Sequence, residues 1–169
     1  MKHSLLPLFF LLAIIACGDN SSSNNTKCAY GQPLAIFDES LPQVVTHQFS
    51  AQGQNASELL QFDSGLSLEV LQGGCDHIKQ EFRFRIPGKA PENSEAFWIA
   101  QAIAHFHFLG QLSERHQQYH QYAKAIENIG AEMKLAQTRS LGDGFSIRID
   151  RISGVDYNLL QVEVGEGEF

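Results

Sequence analysis

The spacing of apolar residues changes twice along this chain, and the order of these changes limits the folds open to it. Between positions 44 and 86 apolar side chains recur at every second residue, and Phe82 and Phe84 there alternate with charged neighbours. After Pro91 the spacing becomes helical, and after Asp143 the period of two returns. This order predicts an α+β fold, an antiparallel sheet with a helical hairpin on one face, built as a β-meander, two helices and a β-hairpin.

Turn residues divide the period-two regions into separate strands. Residues 63–65 (Asp-Ser-Gly) and 73–74 (Gly-Gly) interrupt the first region, and 87–88 (Pro-Gly) end it. Residues 143–144 (Asp-Gly) and a second turn near 153–154 (Ser-Gly) border the strands of the later region. We expect the C-terminal hairpin to rejoin the sheet beside the meander.

Two helices joined by a tight connection are predicted between the two strand regions. Gly110 is expected to end the first helix and Ser113 to cap the second. The expected apolar surface of the first helix comprises Ala96, Ile99, Ala100, Ile103, Ala104 and Phe106. The expected buried stripe of the second comprises Tyr119, Ala123, Ile126, Gly130 and Met133. Positions 134–141 fit either a helix or a strand.

Charge excludes one class of partner. The 169 residues carry a formal net charge of -7, and the acidic groups are scattered along the chain. No basic stripe is present, so nucleic acid is not an expected partner, because its binding depends on neutralised phosphates. Arg83 and Arg85 lie on the side of their strand that is expected to be exposed to solvent. They are expected to form ion pairs with Glu69 or Glu81.

The N-terminus has the layout of a secretory signal. Lys2 and His3 precede an apolar run over 5–16, which is shorter than the roughly 20 residues of a membrane-spanning helix. The run closes with Ile-Ile-Ala-Cys at 14–17, which resembles the lipobox of bacterial lipoproteins. The resemblance covers about the first tenth of the chain. It implies removal of a signal peptide at 1–16 and attachment of the diacylglyceryl and acyl groups, such as palmitate, to Cys17.

The same resemblance implies a domain organisation and a location. Residues 17–27 would be the lipidated cysteine and a flexible tether, and 28–169 a single α+β domain. The polar residues 18–26 would span about 17 Å as a flexible chain. The expected partner is the lipid bilayer of the cell envelope. Gly18 after the cysteine favours the outer membrane, by analogy with the sorting rule of enterobacteria.

The two remaining cysteines, Cys28 and Cys75, can form a single disulfide. An oxidising periplasm or cell surface permits that bond. The alternative is a pair of free or buried thiols.

Histidines are the strongest chemical signal in the sequence. His116 and His120 are four residues apart, and His107 lies across from His116 if the helices form a hairpin. These three are the only set that could provide a three-ligand metal site. The competing and preferred interpretation places His107 against the core and leaves His116 and His120 in water.

Other motifs lack what catalysis needs. Asp76 and His77 are neighbours beside Cys75 and are expected to form a turn, since catalytic triads combine distant residues.

Trp98, near the polar side of the first helix, either anchors a partner or, as we expect, packs against a neighbouring element.

No catalytic, metal or cofactor-binding residue is therefore assigned. The hypothesis is a membrane-tethered periplasmic or surface lipoprotein that acts as a non-catalytic binding or accessory module for a protein or small ligand. The alternatives are a histidine-dependent metal hydrolase of the cell envelope and a structural envelope component.

Overall fold

The period-two segments form one antiparallel sheet within residues 31–74, 77–87, 94–154 and 156–167, which the computed structural model describes. The strands are β1 (Val44–Gln52), β2 (Asn55–Phe62), β3 (Ser67–Gly73), β4 (Lys79–Pro87), β5 (Thr138–Gly142), β6 (Phe145–Ser153) and β7 (Tyr157–Glu166). The helices are α1 (Glu95–Gln111) and α2 (Gln118–Ile129). The strand order is β1-β2-β3-β4-β7-β6-β5, and both helices pack on the sheet, so the predicted α+β class is confirmed.

The C-terminal strands return to the middle of the sheet. β7 pairs with β4 along its length, with Phe82 opposite Val162, so the expected return beside the meander is confirmed. The stretch left open between helix and strand contains β5, which pairs with β6 at the far edge. The turn between them has positive φ at Asp143 (50°) and Gly144 (80°), as a tight hairpin requires.

The central strands bury one face, whereas the edge strands β1 and β5 have no fully buried residue. The alternating residues of the central strands, among them Phe82 and Phe84 on β4 and Leu160 and Val162 on β7, are fully buried. The opposite face carries charged side chains: Arg83 donates to Glu81, and its Nη1 lies 3.2 Å from Glu69 Oε2. The expected pairing of Arg83 is therefore confirmed.

The neighbouring Arg85 behaves differently from the expectation. Its guanidinium lies over the ring of Tyr157, 4.0 Å from the centroid. It therefore makes a cation–π contact with an aromatic side chain of β7.

The buried face of α1 agrees only in part with its apolar spacing, since Phe106 is buried and Ile99 and Ile103 pack against the core as expected. Its buried residues are Trp98, Ala102, Phe106, Leu109 and Gly110. Three residues of the expected surface are instead exposed, namely Ala96, Ala100 and Ala104. Apolar residues lie on almost every side of this helix, so its orientation is set by burial of the large rings, which remove more apolar area from water than alanines do.

The second helix is closer to its prediction. Tyr119, Ala123 and Ile126 are buried as expected, but Gly130 is exposed because α2 ends at Ile129. Met133 is buried beyond the helix end.

The connection between the helices differs from the expected one. α1 continues one residue past Gly110, and a short 3₁₀ turn at Glu114–His116 precedes α2. Ser113 precedes this turn but makes no side-chain capping bond to the backbone.

Candidate functional site

A buried carboxylate holds the segment that leads into the sheet. Glu58 on β2 is fully buried on the helix-facing side. Its Oε2 accepts a hydrogen bond from the N–H of Ile36 at 2.8 Å, and its Oε1 accepts one from the N–H of Phe37 at 2.9 Å. His47 Nε2 on β1 lies 2.8 Å from the same Oε1. These three bonds satisfy the buried acceptor and fix residues 36–37 against the sheet.

His116 holds the same segment from the helical side. Its side chain is buried, and its Nε2 lies 3.1 Å from the carbonyl oxygen of Ile36. Because a carbonyl only accepts, Nε2 carries the hydrogen, and Nδ1 of the neutral ring accepts from the Ser113 hydroxyl at 2.8 Å. The ring stacks on Phe37 with centroids 4.9 Å apart. Both nitrogens of His116 are therefore engaged by the protein.

A cavity of about 390 Å³ lies beside the fixed segment. One wall is formed by residues 31–36 and another by 72–74 and 77–80. Gln72 joins these walls, since its Nε2 donates to the carbonyl oxygen of Leu34 at 3.0 Å. Arg115, His116 and Gln118 close the helical side. Because its walls come from distant parts of the chain, the cavity depends on the attachment of residues 36–37.

The charged side chains that line this cavity are basic. Lys79 and Arg115 are the cations, and the described lining residues include no Asp or Glu. Lys79 Nζ lies 3.9 Å from Glu163 Oε2, whereas Arg115 makes no hydrogen bond or ion pair to another described residue. The charged groups of the lining itself are therefore cations, although Glu163 lies beside Lys79 and the charge of Arg115 acts on Asp38.

Gln54 also lines the cavity. Its side-chain oxygen is buried and has no hydrogen-bond partner among the described residues. A buried polar atom without a partner costs free energy.

The structure brings together only two of the three histidines considered as metal ligands. His107 Nδ1 on α1 and His120 Nδ1 on α2 lie 3.1 Å apart. His116 lies in the 3₁₀ turn and is directed to Ile36 instead. The three-ligand set is therefore not assembled, because the turn breaks the helical spacing on which it depends. The expectation that His116 is in water is also wrong, since its exposed fraction is 2%.

His105 on α1 occupies an apolar environment. Its ring stacks on Phe84 with centroids 4.7 Å apart, and its Nε2 is buried without a partner in the described chain. Burial lowers the pKa of His105 from 6.5 to about 4. The residue is therefore neutral in the folded protein near pH 7.

Other residues singled out in the sequence have structural positions. Trp98 is fully buried, so the packing interpretation is confirmed. His77 is exposed at the cavity rim, where its Nδ1 lies 3.9 Å from Glu166 Oε2. Its neighbour Asp76 is outside the described residues.

Three predictions fall outside the described residues. These are lipidation at Cys17, the tether at 17–27, and the disulfide between Cys28 and Cys75. They remain predictions.

Sequence reasoning missed the two residues on which the cavity most depends. Glu58 did leave a signal, because it interrupts the alternation of Ala56, Leu60 and Phe62 on the buried side of β2. A carboxylate at such a position needs hydrogen-bond donors nearby. No comparable signal in the sequence marks Arg115, because only the folded chain brings it to the segment at 31–36.

No helix in the described parts of the chain is long and apolar enough to cross a membrane. Across those same parts, three or more His, Cys, Asp or Glu residues do not gather into a group able to hold a metal ion. In comparisons with known proteins, no family model, no curated protein and no solved structure matches this chain.

Proposed function

We propose that this protein is a membrane-tethered binding module of the cell envelope. It is attached to the bilayer through acylated Cys17 and binds a small polar ligand with a negatively charged group in the cavity beside residues 31–36. The observation that carries the proposal is the basic lining of that cavity in an otherwise acidic protein.

The side chains available in the cavity support this class of ligand. The Arg115 guanidinium offers several donors in a planar arrangement suited to a carboxylate or phosphate, and it makes no ion pair within the described chain. The lining also carries the amide side chains of Gln54, Gln72 and Gln118. Together they favour a polar molecule with an anionic group.

The position of the cavity supports a tethered role. Residues 31–36 form one wall, and the tether predicted at 17–27 lies just before them in sequence. The bonds from Glu58 and His116 fix residues 36–37, so the chain enters the domain at a defined point. A ligand in this cavity would be held near the membrane-proximal part of the domain.

The test is a binding titration on the full lipidated chain in detergent micelles. The probes are glucuronate, glutamate and inorganic phosphate, with glucose and lysine as the neutral and cationic counterparts. We expect at least one anion to bind and the counterparts not to bind. Arg115→Ala should weaken the interaction by about tenfold or more, the loss expected for a charge-assisted hydrogen bond.

Arg139→Ala is the matched control. Arg139 is a basic residue away from the cavity, where it donates to the carbonyl oxygen of Glu132 and to Gln137. Its removal changes the net charge equally and should leave binding unchanged. Equal losses in the two variants, or no preference for the anionic probes, would contradict the proposal.

A further inference from the structure

A second site lies between the helices, on their exposed side. His107 Nδ1 and His120 Nδ1 face each other at 3.1 Å, with ring centroids 5.3 Å apart. Only one hydrogen can occupy the space between these two nitrogens, so one of them presents a lone pair to the other. Two imidazole nitrogens bound to one Zn²⁺ at 2.0 to 2.1 Å in a tetrahedral site stand about 3.3 to 3.4 Å apart. The observed 3.1 Å is slightly shorter, so a small outward rotation of the rings would admit the ion.

Glu127 sets the orientation of the first ring. Its Oε1 lies 3.1 Å from His107 Nε2. Since the carboxylate accepts, Nε2 carries a hydrogen, and the neutral tautomer with this hydrogen has its lone pair on Nδ1, on the side of His120. A carboxylate that accepts from the outer nitrogen of a histidine is the usual support of a metal-ligating imidazole.

The backbone holds the second ring in place. Gly110 on α1 lies so close to α2 that a Cβ at that position would be 2.7 Å from the ring carbons of His120. The contact leaves His120 little room to turn away from His107, so the two nitrogens are held together before any ion arrives.

An ion can reach this pair from solvent. The side chain of His107 is 34% exposed. Beside His120 is an open cleft lined by polar residues that include Ser113, Gln117 and Gln121. The described residues provide two nitrogen ligands and no third His, Cys, Asp or Glu, so water would fill the other positions.

We propose that His107 and His120 bind one late first-row divalent cation, such as Zn²⁺ or Cu²⁺, through their Nδ1 atoms, with Glu127 supporting His107. Imidazole is a preferred ligand of these ions. On binding, the hydrogen between the rings leaves Nδ1 of His120 and Nε2 of the same ring takes one up. The pair therefore stays neutral and the ion replaces one hydrogen bond.

The test is calorimetric titration of the full lipidated chain in detergent micelles with ZnCl₂. We expect one equivalent to bind with the wild-type chain. His107→Ala and His120→Ala should each weaken that binding by about tenfold or more, and Glu127→Gln should weaken it by about tenfold with both rings present. NMR of the histidine side chains should show shifts at His107 and His120.

Two further variants serve as controls, one for misfolding and one for zinc binding by a histidine elsewhere on the surface. His107→Gln keeps polar side-chain bulk without an imidazole, so it should lose binding even if the alanine variant unfolds. His77→Ala removes an exposed histidine elsewhere and should bind zinc like the wild type. Unchanged binding in folded His107 and His120 variants, or no uptake by the wild type, would overturn the proposal.

Discussion

The four histidines in the helical region have different environments, although they lie within sixteen residues of one another. Both nitrogens of His116 have partners in the protein, and His107 contacts His120 and Glu127. His105 instead lies on Phe84 with a buried nitrogen that lacks a partner among the described residues. Charging His105 would place an unpaired cation in an apolar environment, so this residue is expected to govern stability under mild acid.

We expect the free energy of unfolding to fall as pH falls from about 6.5 toward 4. Burial lowers the folded pKa of His105 from 6.5 to about 4. Between those values the unfolded chain binds the additional proton, so acid favours unfolding. The contribution of His105 between pH 7 and pH 5 is about 2 kcal/mol, measurable by urea unfolding at the two pH values.

Variants separate His105 from the other titrating groups. His105→Leu should reduce the pH dependence by that amount, whereas His77→Ala, at an exposed site, should leave it unchanged. A pH dependence that persists in full in His105→Leu would show that another group is responsible.

Loss of the Glu58 carboxylate is expected to be costly. Glu58→Ala leaves the buried N–H of Phe37, the N–H of Ile36 and the ring of His47 without their acceptor. We expect a loss of about 3 kcal/mol or more in unfolding free energy, together with faster amide hydrogen exchange at residues 36 and 37. Glu69→Ala, on the opposite face of the sheet, should cost about 1 kcal/mol or less. Equal costs would contradict the structural role of Glu58.

At the level of elements, how well the sequence predicted the structure depends on how sharply apolar and polar residues are separated. The β4 strand alternates charged and aromatic side chains, so its two faces follow directly from the sequence. Helix α2 has a narrow apolar stripe, and its buried residues were predicted up to the helix end. Helix α1 has apolar side chains on nearly every side, and its buried face was predicted only in part.

The candidate site was harder to predict than the fold. A 3₁₀ turn at Glu114–His116 moves one histidine away from the other two, and local spacing does not mark that turn. The cavity joins residues 31–36 with 72–80 and Arg115, and such distant contacts have no period in the sequence. The lone charge on the buried side of β2, Glu58, was the one usable signal.

The close contact of α1 and α2 gives a test at the same scale. Gly110→Ala places a Cβ 2.7 Å from the ring carbons of His120 and 2.9 Å from its backbone nitrogen. The helices must therefore shift, and we expect a loss of about 1 to 3 kcal/mol in unfolding free energy. Alanine normally stabilises a helix interior relative to glycine by about 1 kcal/mol. A stabilised variant would thus show that the helices are not in close contact.

At the scale of the whole molecule, the proposed function places an acidic domain at a membrane, with attachment through the N-terminal segment. The residues that follow the predicted tether line the cavity, and the segment at 36–37 is bonded to both the sheet and the helical side. Gly31, three residues after Cys28, lines the same cavity as Gly74 and His77, which flank residues 75–76. From Gly31 back to Cys28 the chain reaches at most about 10 Å.

We therefore expect the Cys28–Cys75 disulfide in the oxidised protein. It would close a loop of nearly 50 residues and stabilise the fold by about 4 kcal/mol on the chain-entropy model. Peptide mass mapping under non-reducing conditions detects the bond, and urea unfolding with and without reductant measures its effect. Reductant should destabilise the wild type and leave a Cys28→Ser, Cys75→Ser double variant unaffected. Two free thiols in the wild type would contradict this pairing.

The attachment of the chain to a bilayer through Cys17 is the claim on which the proposed function depends. Intact-mass analysis of the mature protein, followed by membrane fractionation of the wild type and Cys17→Ser, tests it most directly. The account predicts a mature chain that begins at Cys17 with a diacylglyceryl and an acyl group, and a Cys17→Ser protein that is no longer membrane-bound as a lipoprotein. Retention of residues 1–16 with an unmodified cysteine in the wild type, or equally firm membrane attachment without that sulfur, would contradict it.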